Sequence, residues 1–232
     1  MKVLGRSMLS YQIERVVRAR EIDQIVIATT TNETDDPVAA FARAEGLGVY
    51  RGPEMDVLER YRGAAEAFEA DPVVRLTADC PLADPAVIDL VIRRLCESDP
   101  PCDYVTNGVP RSYPAGLDAE ALTRKALDIA AREATDAYDR EHVTPFIYRN
   151  TARFRCLSVV SDLNLADERW TLDDPRDFEL IRHVIEELYP TNPCFGMLDV
   201  IAILDQHPEW RDLNRDVREN PRVVDDVVFT GE

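Results

Sequence analysis

Short apolar runs, each followed by an Asp-Pro pair, recur along the chain. Ile25–Thr29 (IVIAT) has the length and composition of a strand, and Asp36-Pro37 after it predicts a helix ending near Gly46. Val73–Thr77 (VVRLT) predicts a second strand. Asp84-Pro85 then supplies an N-cap and a proline at the first helical position, predicting a helix to about Glu97. Arg169–Leu172 is a third, shorter strand-like run, and Asp174-Pro175 opens the helical pattern FELIRHVIEEL. Amphipathic spacing predicts further helices over Ser7–Arg20 and Asp56–Glu69. Strands alternating with helices imply an α/β protein whose largely parallel sheet is covered on both faces.

Between Cys102 and Val160 the pattern is less regular. Tyr104–Thr106 reads as a strand, Tyr113–Gly116 as a turn, Ala119–Ala134 as a helix and Phe154–Val160 as a strand. The expectation is one domain over 1–232, with 102–160 inserted in it as a substrate wall or dimer region. Met197–Asn214 reads as one or two helices. The N-terminus, MKVLGRSML, runs directly into a helical pattern, whereas a doubly wound fold ordinarily opens with a strand and a phosphate-binding loop.

Composition narrows the function. A length of 232 residues and 45% hydrophobic residues suit one domain with a sizeable core. A formal charge of −17 repels DNA, RNA and anionic membranes, so neither is an expected partner. It leaves room for a nucleotide, since a metal ion and a few cations reverse the field locally. Five cysteines without a CxxC spacing point to neither a disulfide framework nor a zinc site. With no signal peptide or long apolar span, a cytoplasmic protein is expected.

The candidate chemistry centres on RLTADCPLAD. The strand over Val73–Thr77 delivers Asp79 to a loop at its C-terminal end, the edge where ligands gather in open α/β sheets. A carboxylate there suits a hard cation such as Mg²⁺, which usually arrives with substrate phosphates. The alternative for Asp79 is a loop turn or cap. Cys80 beside it is either a nucleophile or, as favoured here, a small buried neighbour.

The blocks ATTTNETDDP, RGPEMDVLERY, VVRLTADCPLADP, YPAGLDAE, YDREHVTPFIYRN and RWTLDDPRDFEL, in that order, resemble the SpsF-like cytidylyltransferases of spore-coat polysaccharide synthesis. These are related to the acylneuraminate and KDO cytidylyltransferases. The resemblance spans nearly the whole chain and implies a Rossmann-like nucleotidyltransferase fold, three-layered, with a small substrate or dimer region. It implies transfer of CMP from CTP to a sugar, usually an acidic one, with release of pyrophosphate. Two aspartates of the family hold Mg²⁺ on the phosphates; by position these are Asp79 and Asp173, with Asp174 left to cap the helix before Pro175. The nucleotide side falls on Thr29 and Thr30, on Arg51-Gly52 through Asp56-Val57, and on Thr77 and Ala78. Asp56 reads equally as a helix cap. The sugar side falls on Gly116, Asp118, Glu120, Arg140 and His142, with Arg140 or Arg111 placed to hold a sugar carboxylate. Asp139-Arg140-Glu141 reads equally as a solvated helix start, His142 as a proton carrier or a packing residue, and Trp170 as core.

Family members begin with a strand and a loop resembling QARMGSTRLPGKVL. Only Lys2-Val3-Leu4 matches its end, which assigns Lys2 to the phosphates, at a position expected to fray. A late start is therefore expected, with weak CTP binding. A homodimer is expected through Asp103–Tyr113 and Thr144–Tyr148. Two other functions fit the pattern: a nucleotide-sugar glycosyltransferase of the same fold, and a non-catalytic homologue.

Overall fold

A computed structural model describes residues 1–217 and Phe229. The first strands, β1 (Lys2–Val3) and β2 (Arg6–Ser7), form a two-residue antiparallel ladder. Leu4 and Gly5 close it with φ of 48° and 80°, the backbone that a tight hairpin turn requires. Val3 is buried, and its carbonyl accepts from the Tyr11 hydroxyl at 3.0 Å, pinning the hairpin to helix α1 (Met8–Val16). Lys2 is therefore held by its backbone rather than frayed. The helix stops short of the expected Arg20 because the Arg20 and Glu21 N–H groups turn to Asp89 Oδ1, at 2.8 and 3.0 Å.

Next come β3 (Val26–Thr30), α2 (Asp36–Ala44), β4 (Gly48–Gly52) and α3 (Val57–Ala67). β3 and β4 pair in parallel, Val26 opposite Gly48 through Thr30 opposite Gly52. Asp56 caps α3, accepting from the Glu59 N–H at 3.0 Å. Asp36, expected as a cap, is instead the first residue of α2, because the preceding Glu33–Asp35 forms a turn of 3₁₀ helix.

The main sheet is built from β5 (Val73–Arg75), β6 (Tyr104–Thr106), β7 (Glu120–Leu122) and β8 (Cys156–Ser158), in the order β5–β7–β6–β8. β6 and β8 are parallel, while β7 runs antiparallel to both its neighbours. The expected parallel character holds with that one strand reversed. Helix α4 (Pro85–Cys96) follows β5; α5 (Arg124–Glu133), α6 (Ala137–His142) and α7 (Pro145–Tyr148) follow β7. The helix expected over Ala119–Ala134 thus opens as a strand and becomes helix only from Arg124. Ala121 and Leu122 are fully buried between two strands, and only at Thr123, whose hydroxyl accepts from Ala126 N–H at 3.2 Å, does helix begin.

One expectation for residues 102–160 is corrected here. The segment supplies three of the four strands of this sheet, so it is integral to the domain rather than an insertion. In the segments expected to form a dimer contact, Tyr104, Val105, Val109, Tyr113, Thr144, Ile147 and Tyr148 are buried in the chain's own core, while Asp103, Arg111 and Phe146 are half-buried and Pro110 is exposed.

Arg169–Leu172 forms no strand, only a single parallel bridge between Ala115 and Arg169. After it come α8 (Pro175–Leu188), α9 (Met197–Gln206) and α10 (Pro208–Arg211). Asp84 joins the halves of the chain. Its Oδ1 caps α4 through Ala86 N–H at 2.8 Å, and its Oδ2 accepts from Met197 N–H at the start of α9 at 2.7 Å. The β3–β4 pair shares no ladder with the four-stranded sheet. The two are joined by packing, with Ile25, Val74 and Leu76 set against one core cluster.

Candidate functional site

The loop after β5 is held by its carbonyls. Tyr61 Oη donates to Leu76 O at 3.0 Å, Gln12 Nε2 to Thr77 O at 2.6 Å and Arg15 Nε to Ala83 O at 2.7 Å. Thr171 Oγ1 lies 3.4 Å from Asp79 O. Four side chains from three separate stretches of sequence thus fix the main chain on both sides of Asp79. Its carboxylate, by contrast, accepts only from the Cys80 thiol among the described residues, at 3.5 Å. Cys80 is 4% exposed, and burial, then the charges of Asp79 and Asp118, push its thiol well above its ordinary range, which favours the small buried neighbour over the nucleophile.

The second aspartate is positioned by the start of α8. Asp174 is the cap, its Oδ1 accepting from Arg176 N–H at 2.9 Å. Asp177, with no exposed side-chain surface, gathers the loop. It accepts from the N–H groups of Asp173 and Asp174, from Arg169 through Nε and Nη2, and from Asn214 Nδ2. Burial raises its pKa, but the Arg169 and Asn214 hydrogen bonds outweigh that and hold it below the usual carboxylate range. Asp173 points outward, its side chain 55% exposed. One oxygen, Oδ2, lies 2.9 Å from Arg169 Nη2 and 3.4 Å from Thr171 Oγ1. Thr171 therefore stands between the Asp79 carbonyl and the Asp173 carboxylate.

The Gly116-Leu117-Asp118 segment meets the same place. Ala115 N–H donates to Glu168 O at 2.9 Å, and Trp170 N–H to Ala115 O at 2.7 Å. A Cβ on Gly116, where φ is +102°, would lie 2.5 Å from the Trp170 main chain. Only glycine allows that approach. Asp118 accepts from Arg111 Nη2 and from Gly116 N–H, each at 3.0 Å. Trp170 is fully buried, as expected.

Other expected site residues are engaged in building the fold. Thr29 and Thr30 clasp Asp35, both hydroxyls and the Thr30 N–H donating to its Oδ2. Those hydrogen bonds bring the Asp35 pKa down to about 2. Arg51 pairs with Asp36 and donates to Thr30 O and Asn32 O, both at 2.7 Å, while Gly52 O accepts from Thr31 N–H. No hydrogen bond or ion pair links this corner to Asp79 among the described residues. Val57 packs on the core, and Ala78 is exposed. Asp56 is ion-paired with Arg140, which also donates to Ala131 O, so Arg140 ties α6 to α3. Glu120 accepts from Arg75, from Tyr104 Oη at 2.5 Å and from Thr144 Oγ1 at 2.6 Å. His142 is exposed, its ring 4.2 Å from that of Tyr138, which favours packing. Lys2 is exposed and makes no ion pair with Asp79 or Asp173.

The donor set suits a hard divalent cation that shares its coordination with substrate. Asp79 offers a carboxylate with only a thiol partner, and Asp173 offers one further oxygen. Among the described residues, no group of three or more His, Cys, Asp or Glu side chains is arranged to hold a metal ion. Mg²⁺ usually takes one or two carboxylates and completes its shell with water and phosphate oxygens. Sequence reasoning missed Gln12, Arg15, Tyr61, Arg169, Thr171 and Asp177. Tyr61, at the end of RGPEMDVLERY, and Arg169, Thr171 and Asp177, within RWTLDDPRDFEL, stood in blocks already singled out; Gln12 and Arg15 did not.

The sheets and the helices that cover them make a Rossmann-like nucleotidyltransferase fold. The model of the cytidylyltransferase family matches residues 1–207, and the chain belongs to that family. It is 31% identical over 221 residues to the uncharacterised protein MJ1063 of Methanocaldococcus jannaschii, covering 94% of this chain and 88% of that one. It is 29% identical over 193 residues to the spore coat polysaccharide biosynthesis protein SpsF of Bacillus subtilis, covering 82% and 78%. A cytidylyltransferase structure from Leptospira borgpetersenii superimposes with a TM-score of 0.86 at 25% identity, covering 95% of this chain and 91% of that one.

Proposed function

We propose that this enzyme transfers CMP from CTP to a sugar hydroxyl, releasing pyrophosphate, in the assembly of a polysaccharide or surface glycan. One observation carries the reading. Alone among the acidic groups of its loop, the Asp79 carboxylate lacks an N–H or O–H donor among the described residues, while Thr171 sets its main chain beside Asp173. Asp84, a few residues on, has both oxygens occupied. In this reading Asp79 and Asp173 hold Mg²⁺. When bound, the ion neutralises charge on the α-phosphate and on the departing pyrophosphate. Asp177 and Arg169 keep the Asp173 main chain and carboxylate in place. The enzyme works in the cytoplasm; no helix among the described residues is long and apolar enough to cross a membrane.

The structure bears on the acceptor through its cations. Arg111 and Arg140, expected to hold a sugar carboxylate, lie in ion pairs with Asp118 and Asp56. An acidic sugar has to exchange with one of those carboxylates, whereas a neutral sugar does not. Pyrophosphate release from CTP and Mg²⁺ is the test, run against a panel of sugar acids and neutral sugars. Asp79→Asn and Asp173→Asn are each expected to lower kcat/KM at least a hundredfold, on the order of the loss of one strong transition-state contact. Hydrolysis of a preformed nucleotide sugar with no pyrophosphate formed from CTP would make the enzyme a glycosyltransferase instead.

A further inference from the structure

Helix α1 buries two strongly polar side chains one turn apart. Gln12 is 5% exposed and Arg15 3%. Neither pairs with a carboxylate among the described residues. Each spends its donor on a main-chain carbonyl of the Asp79 loop, Gln12 at Thr77 and Arg15 at Ala83. The two anchors bracket the five residues that carry Asp79. Inside them, the loop has two short turns of its own, Cys80 N–H to Thr77 O at 3.3 Å and Ala83 N–H to Cys80 O at 3.1 Å.

Arg15 is a costly way to hold a carbonyl. Both its Nη atoms are buried without an acceptor among the described residues, and its guanidinium lies 4.3 Å from the centre of the Phe195 ring. Burial, and then repulsion from Arg18, bring its pKa down to about 10. A buried charge with so few partners is usually matched or bettered in stability by an apolar residue of similar volume. Packing alone therefore gives no reason for arginine at this position.

We infer that Gln12 and Arg15 are positioning residues for the reaction, clamping the two ends of the Asp79 loop so that its carboxylate faces the ligand edge of the sheet. The clamp rests on the reading of Asp79 as a metal ligand. A guanidinium reaches Ala83 O across the α1–α4 seam while Phe195 covers its face, and the amide of Gln12 reaches Thr77 O from the same side of the helix. Loss of Arg15 removes the side-chain donor to Ala83 O, and loss of Gln12 leaves Thr77 O with only the 3.3 Å bond from Cys80 N–H, so either end of the loop is freer to turn.

The test uses Gln12→Leu, Arg15→Met, Arg15→Lys and Asp79→Asn in the full chain. Three readouts are Mn²⁺ binding by electron paramagnetic resonance in the presence of CTP, amide exchange across residues 78–83, and the thermal midpoint. For Gln12→Leu and Arg15→Met the expected result is Mn²⁺ affinity about tenfold or more weaker, the size of effect that the partners of metal ligands commonly have. Loop exchange should be faster in both, with the midpoint of Arg15→Met unchanged or higher. Arg15→Lys, which keeps a donor, should recover part of the affinity. The clamp is overturned if the two apolar variants exchange and bind Mn²⁺ like the parent while Asp79→Asn loses Mn²⁺. It is overturned equally if their losses follow a fallen thermal midpoint. If Asp79→Asn binds Mn²⁺ like the parent, the metal-ligand reading fails and the clamp's role in metal binding fails with it, which the Asp79 variant distinguishes from failure of the clamp alone.

Discussion

Acidic residues in this protein divide by what their oxygens already hold. Asp84 and Asp177 have both oxygens engaged by protein donors and Asp35 has one that takes three, and all shape loops. Asp79 has only a thiol, and Asp173 keeps one oxygen clear of its Arg169 pair. The saturated group carries the acid sensitivity. Asp177 has a folded-state pKa below its unfolded value, so its contribution to stability is complete above about pH 3.9, the unfolded value, and is lost as pH falls through the depressed one. Thermal midpoints of the parent and of Asp177→Asn should differ most near neutrality and converge as pH drops below about 3.9; a constant gap would rule out that linkage. In the sequence, Asp79, Asp173 and Asp174 stood out because Asp-Pro punctuation and strand ends are local signals. Gln12, Arg15 and Thr171 did not, because their roles lie in contacts between segments far apart in the chain.

At the level of elements, helix starts were the most legible feature, since a cap is decided within four residues. Asp84, Asp56 and Asp174 all cap as read. Asp36 does not, because Thr29 and Thr30 draw Asp35 back toward β3 and the turn tightens one residue early. β7 was illegible for a different reason. Glu, Ala and Leu favour helix locally, and only the strands on both sides make Glu120–Leu122 extended. The double cap by Asp84 has a measurable consequence. Asp84→Ala removes acceptors from two helices at once and should cost about 2 kcal/mol, about 1 for each cap. Denaturant unfolding gives the magnitude. Amide exchange should quicken together at Ala86 and Met197, and quickening at only one of them would argue against a shared cap.

For the whole molecule, the class and order of elements could be read from the chain, but the division of the sheet could not. Apolar runs state that a strand exists, not which strand lies beside it, and the ladder between β3–β4 and the rest is absent among the described residues. Charge acts at the same scale. With a formal −17, the protein repels its own anionic substrate at long range, and salt screens that repulsion. At fixed free Mg²⁺, kcat/KM for CTP should therefore rise as KCl is increased from about 20 to about 150 mM, where the screening length shortens to about 8 Å. A fall would show that the cations near the site govern the encounter. The close approach at Gly116 bears on how a substrate enters. With no room for even a methyl group between Gly116 and the Trp170 main chain, and two backbone hydrogen bonds beside it, the sugar-side loop and the Asp173 loop form a single jaw. That jaw cannot widen from within. Any opening is expected instead where β3 and β4 meet the main sheet, since no ladder joins them to it among the described residues.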